Sequence, residues 1–210
     1  VISEKDAAKL HFPPQHEEQS ASAEPEALGS APDLFDPSLP AITSFSKANA
    51  FLNNFEHLMT RIKDTSDPEE KIWYRTVENA FQALRKTKDL KKRAQLADVS
   101  PLVAKKTVEN RNFKDEINMS EEEMISAMRY LLKQKFDENK NKDLVRRLLA
   151  TGQRELVNEN SFRDDFWGVY EGRGQNHLGK LLMEIRRSKI KEEPAEGRMA
   201  QLEGRIKKDE

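Results

Sequence analysis

Cysteine is missing altogether, tryptophan occurs only twice, and glycine eight times in 210 residues. Without cysteine there are no disulfides and no thiolate metal sites, which fits an intracellular protein, cytoplasmic or nuclear. No apolar run approaches the roughly 20 residues that would span a bilayer. The N-terminus lacks the basic-then-apolar pattern of a secretory signal. The chain opens at Val1 rather than Met and so reads as a fragment or a processed form. Its four histidines have no metal-ligand spacing, and neither a His-Glu-x-x-His zinc motif nor a Gly-x-Ser-x-Gly nucleophile elbow occurs. No metal and no cofactor are expected.

Net charge is also scarce, at -1, but it is unevenly spread. Up to Ser44 eight acids face two lysines, so the remainder is mildly basic, which suits an anionic ligand. Six of the nine prolines lie in the first 40 residues among Ser, Ala and Glu. Such a segment buries too little apolar surface to offset its ordering entropy, so residues 1–43 read as a disordered arm. Within it, Leu34-Phe35 read as two exposed hydrophobes, the alternative being a contact with the domain or with a partner.

The expected fold is mainly α: a single multihelical domain over residues 44–188, with at most a small extended element, and a charged tail over 189–210. Phe45, Ala48, Phe51 or Leu52, Phe55 and Met59 recur at helical spacing, interrupted by Asn53-Asn54. Ile72-Trp-Tyr suits a brief extended segment. Thr76 can cap a helix that carries Glu78 in its first turn and Phe81 and Leu84 on one face. Ser100-Pro101 starts another helix through Val108. Ser120 and Glu123 have capping-box spacing, ahead of Met124, Ala127, Met128, Leu131 and Phe136. A short helix over Leu144–Leu149 can close at Gly152 in the left-handed conformation. Asn176 begins the last strong helix, with Leu178, Leu181, Leu182 and Ile185 on its apolar face. The basic run from Arg85 to Arg93 reads as a solvated helix face, or as a surface for nucleic-acid phosphates.

Chemistry concentrates between Asp164 and Arg186. Four of the eight glycines (Gly168, Gly172, Gly174, Gly179) fall there beside Trp167. Amides at a helix start attract anions, and glycine lets backbone approach a phosphate, with Arg173 adding charge. Equally, these glycines shape a tight turn. The segment is neither a dinucleotide fingerprint nor an ATPase phosphate loop. Phe166 and Trp167 either stack a base or ribose or fill the core. Glu78 and Asp164 both abut aromatics. At a helix N-terminus Glu78 is favoured as an ionised group, although the same position suits a purely structural acid. Two carboxyls meeting in one pocket would support an oxocarbenium-like centre during N-glycosidic cleavage.

Taken together, these segments resemble the NADAR (YbiA-like) domain family. The resemblance is carried by Asp164, Phe166-Trp167-Gly168, Asn176, Leu178-Gly179, Leu181-Leu182-Met183-Glu184 and Arg186. Upstream it continues in Leu148–Gly152, Glu155-Leu156-Val157, Lys135-Phe136, Thr76–Ala83 and Phe51–Phe55. The chain departs from the family pattern at Asn53, where serine is usual, and at Leu84-Arg85-Lys86, where the family tends to have one residue and then lysine. A tryptophan before the middle helix and a Gly-Arg element are absent.

The resemblance implies hydrolysis of an N-glycosidic bond to ribose, with Glu78 and Asp164 as the catalytic carboxyls. It further implies that Asn54, Phe55, Gln82, Arg85, Lys86, Trp167, Gly168, Arg173, Gly174, Asn176, Leu178 and Gly179 contact substrate. Some relatives resemble glycohydrolases that remove ADP-ribose from guanine in nucleic acid, and that is the leading expectation. Others resemble N-glycosidases acting on ribosylated pyrimidine intermediates of riboflavin biosynthesis. A non-catalytic ADP-ribose reader is a third possibility. The expected partner is ADP-ribosylated guanine in nucleic acid or an ADP-ribose-like small molecule, with no membrane.

Overall fold

A run of eight consecutive buried residues, Val77 through Leu84, marks the helix around which half of the protein is built. In the computed structural model the described residues are 34–64, 72–109, 113 and 117–192. They are mostly helical and fall into two compact units, the first within 46–135 and the second formed by 34–45 with the segment from Phe136 onward.

In the first unit the central helix is α1 (Val77–Lys86), and Thr76 caps it by accepting from the Asn79 amide, as the sequence predicts. Around it lie α2 (Leu90–Gln95), α3 (Pro101–Val108), α4 (Glu121–Lys135) and a two-residue hairpin, with the heaviest packing against α3 and α4. Ser100 caps α3 and Pro101 occupies its first turn. The capping box forms in both directions: Glu123 N–H donates to Ser120 Oγ, and Ser120 N–H donates to Glu123 Oε2. Asn79 ties α1 to the α2–α3 connection, donating to the carbonyls of Leu96 (2.6 Å) and Val99 (2.8 Å).

The extended element at Trp73–Tyr74 is β2, and it pairs antiparallel with β1 (Ile62–Lys63), Ile62 opposite Tyr74. Only β2 was legible beforehand. A buried network holds this hairpin. Asp64 accepts from Tyr74 Oη (3.0 Å) and from the Ile72 amide (2.9 Å), and Arg93 lies 3.6 Å away. Burial, reinforced by the Asp64 carboxylate, pushes the Tyr74 hydroxyl far above its ordinary range. Arg93 therefore corrects the picture of a wholly solvated basic run: it is buried and donates to the Thr87 carbonyl.

The second unit contains α5 (Lys142–Leu149) and α6 (His177–Glu192), packed on each other. Gly152 closes α5 with a φ of 62°, as expected. Arg186 is buried in this unit and donates to Thr151 Oγ1 (2.8 Å) and to the carbonyls of Arg154 (2.9 Å) and Leu34 (3.1 Å).

Three expectations need correcting. Residues 34–43 are not part of a disordered arm: Asp36 and Ile42 donate to the carbonyls of Gln153 and Glu155, and Val157 donates back to Ile42. Leu34 and Phe35 are accordingly half-buried rather than exposed. The rest of the proposed arm, residues 1–33, lies outside the described residues. Second, the helical spacing from Phe45 to Met59 yields only a six-residue 3-10 helix, Lys47–Leu52, with Met59 fully exposed. The chain turns at Asn53, whose Oδ1 accepts from the Phe55 amide and so competes with helix continuation. Third, α6 runs on to Glu192, past the point where the charged tail was expected to begin. Residues 193–210 of that tail lie outside the described residues. Among the described residues no helix is long and apolar enough to cross a membrane.

Candidate functional site

The first unit gathers several of the expected residues around the start of α1. Glu78 sits in the first turn, buried because α1 is covered on all sides. Its amide donates to the Asn54 carbonyl at 3.1 Å, which seats the Asn53–Asn54 turn on the helix end. Gln82, one turn along, donates from Nε2 to Glu78 Oε1 at 2.8 Å. Arg85 follows three residues later, so positions 78, 82 and 85 share one helix face. Lys86, half-buried, ends the same helix.

Asn54 and Gln82 are buried, at 6% and 5% exposure. Among the described residues three buried side-chain polar atoms lack a hydrogen-bond partner: Asn54 Oδ1, Gln82 Oε1 and Arg85 Nε. A buried polar atom left in that state is costly, so such groups cluster where a ligand completes them. All three belong to the residues singled out from the sequence. Phe55, next to Asn54 in the chain, is 38% exposed.

Two further residues meet the Asn53–Asn54 turn: the sequence reading placed Lys135 in the family resemblance and Met128 in the core, and gave neither a role in the site. Lys135 is completely buried, and its Nζ donates to the Asn53 carbonyl at 2.8 Å. Met128 Sδ accepts from Asn54 Nδ2 at 3.4 Å. Both lie on α4, seven residues apart and therefore on one face. That periodicity was the available signal: Lys135 continues the apolar stripe of Met128 and Leu131, where a cation has no reason to be unless it has a task.

In the second unit the glycine-rich segment takes the form of the tight turn that the sequence allowed equally with a phosphate grip. The amides around the start of α6 already have partners, since Gln175, Asn176, His177 and Leu178 donate to the carbonyls of Asp165, Gly168, Phe166 and Trp167. These four amides are therefore already taken up by carbonyls of the preceding turn. Asn176, with a φ of 53°, is buried and crosslinks backbone, accepting from the Asn158 amide and donating to the Leu156 carbonyl.

The glycines serve close approach and turning. A Cβ on Gly168, Gly174 or Gly179 would run into the carbonyl oxygen of Asn158, Gly168 or Leu156 respectively. Glu171 and Gly172, both at positive φ, form the two-residue tip of a hairpin closed by Tyr170 and Arg173, whose side chain is exposed. Leu178 is core.

Asp164 Oδ1 accepts from the Trp167 amide at 2.8 Å, fixing the turn that presents the indole. Trp167 packs edge-on against Phe166 at 4.9 Å, and His177 lies 4.6 Å from Phe166, so three rings form one half-buried group. Glu78 belongs to the first unit and Asp164 to the second.

The sequence profile described as the NADAR domain matches residues 43–189, well over half of the chain. A riboflavin biosynthesis protein of Vibrio vulnificus (strain YJ016) is 43% identical over 63 residues, 30% of this chain and 16% of that protein. The N-glycosidase YbiA of Shigella boydii serotype 4 (strain Sb227) is 39% identical over 113 residues, covering 53% of this chain and 68% of that enzyme. The NMR structure of the E. coli protein YbiA superposes with a TM-score of 0.56 at 31% identity, covering 72% of this chain and 84% of that one.

Proposed function

Because this chain belongs to the NADAR domain family, we propose that it is an N-glycosidase that hydrolyses the bond between ribose and a nitrogen heterocycle. The observation that carries this reading is Glu78: a buried carboxylate at a helix start, held by the Gln82 amide and braced through the Asn54 carbonyl. The helix end and the donated hydrogen bond both favour the ionised form and offset the cost of burying it. An anionic oxygen fixed in a water-poor setting stabilises the positive charge that develops on the ribose as the C1′–N bond lengthens. As the C1′–N bond breaks, its electron pair goes to the heterocycle nitrogen; the oxygen of water adds at C1′, and the proton that water loses passes by way of the carboxylate to that nitrogen.

Asp164 is assigned a supporting role, since one of its carboxylate oxygens is engaged in setting the Trp167 turn. The Phe166–Trp167–His177 group offers an aromatic face to a flat ligand. Arg173, exposed beside the hairpin tip, is assigned the role of adding positive charge.

The preferred substrate is ADP-ribose linked to guanine in nucleic acid, in keeping with the mildly basic charge of the chain beyond Ser44. A second reading, cleavage of ribosylated pyrimidine intermediates, is favoured by the riboflavin biosynthesis relative. Incubation with an ADP-ribosylated guanine oligonucleotide should release ADP-ribose. No release, alongside cleavage of ribosylaminopyrimidines, selects the second reading. Glu78→Gln should lower turnover by about 10²–10⁴-fold while leaving the circular dichroism spectrum unchanged. Turnover equal to wild type would remove Glu78 from the mechanism, and ADP-ribose binding without turnover in wild type would make the protein a reader.

A further inference from the structure

The outward face of the β1–β2 hairpin carries side chains that the glycosidic site does not use. Ile62 and Tyr74 pair across the hairpin and both point into the core, at 1% and 0% exposure. Side chains alternate along a strand, so Lys63 and Trp73 point the other way. They stand opposite each other, with Lys63 Nζ 5.5 Å from the indole centre. Arg61 and Arg75 flank the two strands and meet on Asp98, at 2.7 Å and 3.3 Å respectively. Arg61 also reaches the Trp73 carbonyl. Three cations and one indole thus form a single block, with Asp98 as the carboxylate bound to it.

Two features of this block point to a ligand. Trp73 is 42% exposed, although indole has more apolar surface to bury than any other side chain. Like charges across a hairpin repel, yet Arg61 and Arg75 are set side by side and aligned by one shared carboxylate. Three positive charges against one negative leave the face cationic, which suits a polyanion. The open indole narrows the choice to a polyanion that carries flat rings. The platform is also well braced. Gln134 bonds both the N–H and the C=O of Lys63 at 2.9 Å, and Asp64 holds Tyr74 beneath.

We propose that this face binds single-stranded nucleic acid, a base stacking on Trp73 while Arg61, Lys63 and Arg75 take neighbouring phosphates. A duplex fits it less well, because paired bases are already stacked on one another and cannot lie on the indole. Positions 61 and 63 are about 7 Å apart along the strand, comparable with the phosphate repeat of an extended chain. β2 leads through Thr76 into α1, so the backbone from Trp73 to Glu78 spans at most about 18 Å. A strand lying on the hairpin therefore comes within a few nucleotides of the start of α1.

The assignment needs no glycosidase activity, and its test uses an unmodified strand. Binding of a labelled oligothymidine of about a dozen nucleotides to the full chain is followed by fluorescence anisotropy. Affinity should fall about 20-fold between about 50 and 200 mM salt, as three phosphate contacts require. Trp73→Ala should weaken binding about ten-fold without changing the salt dependence, and Trp73→Phe should restore most of the loss. Arg61→Gln combined with Arg75→Gln, checked for fold by circular dichroism, should cut the salt dependence to about one-third.

No binding at about 0.1 mM protein in low salt would overturn the proposal. So would equal binding of the corresponding duplex, equal competition by an acidic peptide, or binding that these substitutions leave untouched. Oligonucleotide binding without cleavage of any glycoside would keep this face and remove the catalytic reading. Cleavage without oligonucleotide binding would do the reverse.

Discussion

Arg186 shows how much one side chain carries. Its guanidinium serves a threonine hydroxyl and two carbonyls from separate stretches of the second unit, and burial pulls its pKa down to about 10. Arg186→Ala strands those acceptors and opens a cavity, so a loss of about 4 kcal/mol is expected in urea denaturation, with Arg186→Lys recovering part of it. A loss under about 1 kcal/mol would mean that water serves the acceptors equally well. The closing motif that suggested the family is thus partly structural: Asp164 caps a turn, Asn176 and Arg186 crosslink backbone, and Gly168 and Gly179 permit close approach. Such roles need contacts between distant residues, which spacing along the chain does not display. Glu78 is the opposite case, since its place in the first turn of a capped helix followed from Thr76 and local periodicity alone.

At the scale of elements, helices with polar caps were legible and irregular ones were not. Thr76, Ser100 and Ser120 all cap as their spacing predicts, because capping is a contact within four residues. The segment after Phe45 carried helical spacing yet folded as a single 3-10 helix, since the Asn53 side chain redirects the backbone. The β1–β2 hairpin is fastened by Asp98, which pairs with Arg61 at 2.7 Å and with Arg75 at 3.3 Å on its two flanks. The Arg61 hydrogen bond leads in holding the Asp98 carboxyl below its usual value of 3.8. A carboxyl pKa lowered on folding contributes stability that is complete above that value and lost as pH falls through the folded one. Asp98→Asn should therefore lower the urea midpoint at pH 6 and leave it unchanged near pH 2. The same deficit at both pH values would assign the effect to packing rather than charge.

At the scale of the whole molecule, residues 34–43 are built in further than composition indicated. Residues 34–43 read as part of a proline-rich arm, yet they bond to the Gln153–Val157 stretch and bury Ile42. Chains beginning at residue 34 and at residue 44 should differ by about 3 kcal/mol in stability, from Ile42 burial and the lost partner of Arg186. Equal melting temperatures would show the strap to be energetically idle.

The sequence by itself determined the helical class and the capped starts of α1, α3 and α4, because each rests on periodicity or on a neighbour within a few positions. Only the tertiary structure decided that the amides of Gln175 to Leu178 at the start of α6 already have partners, that Lys135 grips the Asn53 carbonyl, and that Asn54, Gln82 and Arg85 keep unpaired atoms. The physical reason is the same for all three. Whether a donor or acceptor is free depends on what the fold brings to it from far along the chain, and a linear sequence records the group but not its partner.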